Sequence, residues 1–169
     1  MIDDKVRSIV RSLSETRGKD FFNTIVLALA KVIDADFTFV AELDKNYTKA
    51  STIAVSADGD IIDNFSYALK GTPCANVADN NVCIHTDSIQ PLYPEDQLLI
   101  DMGIKAYVGT PLFDRHGNVI GILVALYRRA LLNASSVEAL FLLFAGLIGG
   151  ELEKLAQSEQ LMLDRKSVV

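Results

Sequence analysis

Two thiols and an imidazole, Cys74, Cys83 and His85, are the side chains best suited to chemistry in this sequence. A thiol at a helix N-terminus has its pKa lowered and becomes nucleophilic. Thr72-Pro73 reads as a helix start, with Thr72 as cap and Pro73 at the first helical position, which would place Cys74 there. Against this, no Cys-x-x-Cys pair and no neighbouring basic residue supports activation, and both cysteines read more simply as small buried hydrophobes. A metal site would draw on Cys74, Cys83, His85 and Asp87. Cys83-Ile84-His85 has the wrong spacing for a zinc knuckle, and no fourth ligand stands at a standard spacing, so no metal is expected. His116 falls in a predicted hairpin turn and reads as a solvated loop residue. The sequence holds no phosphate-binding loop, Gly-x-Ser-x-Gly elbow or His-Glu-x-x-His motif. No enzymatic activity and no cofactor are therefore expected from these residues.

The elements that must position them follow from hydrophobic periodicity. Ile2, Val6, Ile9 and Leu13 make one stripe of a first helix over 2–16. Phe21, Phe22, Ile25, Val26, Leu29 and Ile33 make a second over 19–34. The period then changes to two. Strands are predicted over 36–43, 47–56 and 65–69, with turns at Asp44-Lys45-Asn46 and Asp58-Gly59. Residues 70–93 are irregular. A short helix is opened by Pro94-Glu95-Asp96 and closed by Gly103. Strands over 106–113 and 119–127 flank a turn at 114–118, and the second is apolar almost throughout, so both of its faces should be covered. Ser135 and Glu138 have capping-box spacing and open a long helix to about residue 163. Strands joined by tight turns, with helices at both ends of the chain, define an α+β fold.

Composition bounds the function. A chain of 169 residues, half of them apolar, builds one domain with one core. The net charge of −6, with no local cluster of basic residues, disfavours nucleic acid and anionic membrane surfaces as partners. The N-terminal stretch is charged and periodic and lacks the apolar centre of a signal peptide. The most apolar stretch, 137–150, is interrupted by Glu138 and reads as too short to span a bilayer. A cytoplasmic location with reduced thiols is the expectation.

The order of elements, together with YALKGTPC (67–74), YPED (93–96), YVGTPL (107–112), DRHGNVIG (114–121), Phe144-Ala145 and ELE (151–153), resembles the GAF family over about residues 19–155. The likeness is to GAF domains of bacterial signalling proteins, which precede kinase or cyclase output domains. It implies a GAF-like central antiparallel sheet, usually of six strands, with the terminal helices on one side and an irregular pocket cap on the other. It also implies a sensory role: such domains bind small molecules or transmit a signal as dimers. The cap and the nearby strand ends offer Tyr67, Thr72, Cys74, Tyr93, Asp96 and Tyr107 as candidate ligand contacts; the alternative is that they only fill the core. Tyr67, Cys74, Tyr93 and Tyr107 are expected to converge on one cavity. The resemblance also raises a thiol-dependent reductase of the free-methionine sulfoxide type, but two cysteines nine residues apart do not match that cysteine set. The adjacent Cys-His pair of bilin-binding relatives is missing too, because Ile84 separates Cys83 from His85. The signature of cyclic-nucleotide-binding relatives is not found.

Beyond the sensor domain (17–155), residues 1–16 read as a dimerisation helix and 156–169 as the end of a signalling helix. Ile2, Val6, Ile9 and Leu13 fit heptad positions, and Phe141, Ile148, Leu155 and Met162 recur every seven residues, with Ala145 and Leu152 at complementary positions. The sheet should run out near Glu151. That leaves Leu152, Leu155 and Met162 to pair, with the first helix, in a parallel homodimeric four-helix bundle. A ligand-free dimerisation module is the remaining alternative. The output domain is expected to lie outside this chain.

Overall fold

The computed structural model describes residues 2–13, 16 and 18–167; the side chains of Ile2 and Val6 are outside that description. The elements in order are α1 (Ile2–Leu13), α2 (Lys19–Ile33), β1 (Phe37–Leu43), β2 (Lys49–Ala57), β3 (Asp60–Ile62), β4 (Ser66–Ala68), α3 (Pro73–Ala78), β5 (Cys83–His85), α4 (Gln97–Asp101), β6 (Ala106–Phe113), β7 (Val119–Tyr127) and α5 (Ala134–Ser167). A single 3-10 turn (Gln90–Leu92) precedes α4. The seven strands form one sheet in the order β3-β2-β1-β7-β6-β5, and β4 pairs with the other end of the β2 edge that holds β3. Every pairing is antiparallel. The resemblance implied six strands; here β3 and β4 divide one edge of β2 between them.

Period-two alternation sorts the side chains onto two faces. From β1, Val40 joins the core beneath the helices, while Phe37, Phe39 and Ala41 join the core beneath the cap. On β7, Leu123, Ala125 and Tyr127 face the helices, whereas Ile122, Val124 and Leu126 face the cap. Both faces of β7 are covered, which is why it reads as a continuous apolar run. On the helix side, α2 contributes Phe22, Ile25, Val26, Leu29 and Ile33, and α5 contributes Val137, Phe141, Phe144, Ile148 and Leu152. The Tyr127 hydroxyl donates to the Ile33 carbonyl at 3.0 Å and ties β7 to the end of α2. Arg128 lies over the Phe37 ring at 4.6 Å and is bidentate to Asp58, which clamps the β2–β3 turn to the end of β7.

The sheet reaches further along α5 than the sequence suggests. Leu152 is 1% exposed and packs over Gly121, so it belongs to the domain's own core and needs no second chain. Leu13 is buried as well, and Ile9 and Leu155 lean on the same core. Met162 is 58% exposed. The helix begins at Ala134, so Ser135 lies inside its first turn and not ahead of it. By length and composition alone α5 could cross a membrane, contrary to the reading of 137–150 as too short. Its buried stripe against β6 and β7 is what a core helix of a water-soluble domain carries.

Gly121 marks the tightest contact. A Cβ built there would lie 2.6 Å from the Ala41 carbonyl oxygen and 2.5 Å from Leu152 Cδ2. The backbone atom cannot rotate away, so Gly121→Ala is expected to cost about 1–3 kcal/mol. Urea unfolding of the variant beside wild type measures it, and an unchanged midpoint at equal slope would contradict this packing.

Candidate functional site

The cap over the second face of the sheet is built from α3, β5, the 3-10 turn and α4. Pro73 opens α3 as the sequence suggests, but Thr72 does not cap it with its side chain. The Thr72 hydroxyl turns back and donates to the Leu69 carbonyl at 2.7 Å, so Thr72 shapes the entry to α3 and does not line the cavity. Asp96 caps α4, accepting from the Leu99 amide at 3.4 Å, and Gly103, at φ 68°, ends that turn in the left-handed region.

Between cap and sheet lies a cavity of about 30 Å³, lined by Phe39, Phe65, Tyr67, Cys74, Asp96 and Tyr107 and closed by Leu98, Leu99 and Met102 of the cap. Phe39, Phe65 and Tyr67 form a ring cluster with centroids 6.0 to 6.2 Å apart. At its inner end the Cys74 sulfur sits between two phenols: the Tyr67 hydroxyl donates to it at 3.2 Å, and the Tyr107 hydroxyl lies 3.1 Å away. Burial pushes the Cys74 thiol up to about 11, although both phenols favour the thiolate. This agrees with the reading of Cys74 as a small buried hydrophobe and goes against the alternative of an acidified thiol. A helix of six residues is too short for its dipole to outweigh complete desolvation. Burial also raises the Asp96 carboxyl, offset in part by the Leu99 and Leu98 amides. The cavity therefore presents a thiol, two phenols and a carboxyl with a raised pKa, among aromatic and aliphatic walls.

Of the six candidate contacts, Tyr67, Cys74, Asp96 and Tyr107 converge here. Tyr93 does not. Its hydroxyl accepts from Asn76 Nδ2 at 2.8 Å, and its ring meets His85 edge-on at 5.8 Å, at the open edge of the sheet. Cys83 Sγ lies 3.2 Å from His85 Nε2 in the same group. Among the described residues no three His, Cys, Asp or Glu side chains gather where a metal could be held. His116 lies in the exposed β6–β7 turn, where its backbone amide donates to Asp114. The aromatic and aliphatic walls, Phe39, Phe65, Leu98, Leu99, Met102, Val124 and Leu126, were not singled out from sequence.

The chain is a seven-stranded antiparallel sheet with terminal helices on one face and a capped cavity on the other. The family model described as "GAF domain" matches residues 18–152, and the chain belongs to that family. Among solved structures, it is similar to the GAF domain of an Acinetobacter phosphoenolpyruvate-protein phosphotransferase (TM-score 0.74, 14% identity, 95% of this chain and 98% of that one). It is similar also to the corresponding domain from Coxiella burnetii (TM-score 0.73, 16% identity, 94% and 96%). The bacteriophytochrome RpBphP3 of R. palustris shares the fold as well (TM-score 0.72, 14% identity), with 92% of this chain matching 37% of that one. No curated protein matches the sequence.

Proposed function

We propose that this GAF domain is a cytoplasmic sensory and regulatory module, not an enzyme, that takes a small ligand under its cap and passes the signal through a homodimer to an output domain. The observation that supports ligand binding is the Tyr67–Cys74–Tyr107 group beside Asp96, a convergent polar set at the inner end of an otherwise apolar cavity. At about 30 Å³ the cavity holds a water or two, so a larger ligand enters only when Leu98, Leu99 and Met102 move outward with α4. The same volume supports a second reading, a ligand-free dimerisation module in which these groups only fill the cap.

Native mass spectrometry of the freshly purified protein, with a visible spectrum of the same sample, separates the two. A small co-purified mass is expected with wild type. Met102→Trp sets a large ring at the half-buried mouth of the cavity and should remove that mass while leaving the far-UV circular dichroism unchanged. No bound mass in wild type, together with no thermal shift in a screen of metabolites, would favour the ligand-free module.

A further inference from the structure

The open edge of the sheet carries a second arrangement that the cavity does not use. Cys83 and His85 are two residues apart on β5, so their side chains leave the same face of the strand. The sulfur and His85 Nε2 are 3.2 Å apart, within reach of proton transfer. The Tyr93 hydroxyl hydrogen-bonds the sulfur and favours its anionic form, and Asn76 on α3 donates to that hydroxyl at 2.8 Å. The Tyr93 ring also stands edge-on against the imidazole. A thiol in hydrogen-bond reach of a base is a pair in which the base can take the proton as the sulfur attacks. Cys74 has nothing comparable: it is 4% exposed and enclosed by two phenols. Cys83 is half-buried at an edge, next to the exposed Val82.

We propose that Cys83 is a modification site, a nucleophilic thiol that exchanges with small neutral disulfides, with His85 as its general base. Burial raises the Cys83 thiol and lowers the His85 imidazolium, so at neutral pH the pair rests as thiol and neutral imidazole, and the proton moves to His85 only as the sulfur attacks. In the exchange His85 Nε2 takes the thiol proton, with the ring's own proton on Nδ1. The Cys83 sulfur attacks one sulfur of the disulfide; a new S–S bond forms and the old one breaks. Cys83 is oxidised to a mixed disulfide, and the departing sulfur is reduced and leaves as a thiol carrying the proton from His85. The adduct then sits against Tyr93 and, through Asn76, against α3, the helix that carries Cys74 into the cavity.

The probe is neutral dithiodipyridine, whose released thiopyridone absorbs in the near ultraviolet, used on the native chain with peptide mass mapping of the product. One adduct per chain is expected, on Cys83, with Cys74 reacting only after denaturation. His85→Ala should slow the reaction by about a hundredfold, the low end of what a lost general base removes. Imidazole added to the buffer should restore much of that rate, which a purely structural loss would not allow. Tyr93→Phe should slow it less. Circular dichroism and thermal melting confirm that each variant keeps its fold; should His85→Ala fail to fold, His85→Gln carries the same test. Modification of Cys74 before Cys83, a His85 variant as fast as wild type, or a slowed variant that imidazole does not rescue would each overturn the proposal.

Discussion

Leu147→Asp is expected to turn a dimer of this domain into a folded monomer. The seam read from the heptad, through Phe141, Ile148 and Leu152, is spent on the domain's own sheet: these side chains are at most 1% exposed. The opposite side of α5 is apolar and uncovered. Leu142, Leu143 and Leu147 are 50%, 54% and 44% exposed. Gly146 and Gly150 lie along the same side, and a Cβ built on either would meet nothing within 4 Å, so a second helix can come close there. In a two-fold dimer each substitution is felt twice. Burying a fully exposed Leu is worth about 1.5–3 kcal/mol and Leu147 has a little under half of its surface left to bury, so losing it on both chains costs about 1.3–2.6 kcal/mol, or roughly tenfold or more in Kd. Sedimentation equilibrium beside circular dichroism checks it. Leu152→Asp serves as the contrast, because it should unfold the domain and not split it. Leu155→Asp separates nothing, since Leu155 leans on the domain's own core. A wild-type chain that is monomeric at tens of micromolar, or a Leu147→Asp variant that stays dimeric, would show that this face is not the interface.

The choice between those two sides of α5 marks where the sequence stops being informative. Residues 137–150 are apolar on more than one side of the helix, so period alone offers several stripes and cannot say which one meets the sheet. What decides is Gly121 on β7, whose missing side chain admits Leu152, and Gly149, which lets α5 approach the Phe113 carbonyl; a Cβ there would lie 2.8 Å from that oxygen. Long elements were legible for the opposite reason. α2 carries enough periodic residues for one orientation to dominate, and β1, β6 and β7 are long runs of strand-forming residues. β5 was not legible, because a three-residue strand gains its identity only from pairing with Tyr107, Val108 and Gly109 of β6. That pairing also puts Cys83 and His85 on one face, beside Tyr93. The same limit holds at the cavity. Tyr67, Cys74, Asp96 and Tyr107 stood out as polar residues at strand ends and caps, whereas Phe39, Val124 and Leu126 look like any core residue until the register of β1 on β7 makes them one wall.

The polar group at the end of that cavity should prove costly to break and nearly neutral to erase. Cys74→Ala removes the sulfur that both the Tyr67 and Tyr107 hydroxyls meet, and no other hydrogen-bond partner for either hydroxyl is seen among the described residues. A buried hydroxyl left without a partner costs about 1–3 kcal/mol, so a loss of about 2–4 kcal/mol is expected for the pair, weighted to the low end because sulfur is a weak partner. Cys74→Ala combined with Tyr67→Phe and Tyr107→Phe takes away the stranded hydroxyls as well. It should return to within about 1 kcal/mol of wild type, because replacing both sides of a hydrogen bond by apolar groups removes the desolvation penalty along with the bond. Urea unfolding midpoints at a common slope give both numbers. If the triple variant stays as unstable as Cys74→Ala, the sulfur matters for its volume and the contacts with the two phenols carry little. If it recovers, the fold has no need of a thiol and two phenols at this depth, and their presence requires a reason outside stability. Recognition of a ligand's polar atoms supplies one, and it carries its own check: the recovered triple variant should no longer hold the small mass that wild type is expected to carry through purification.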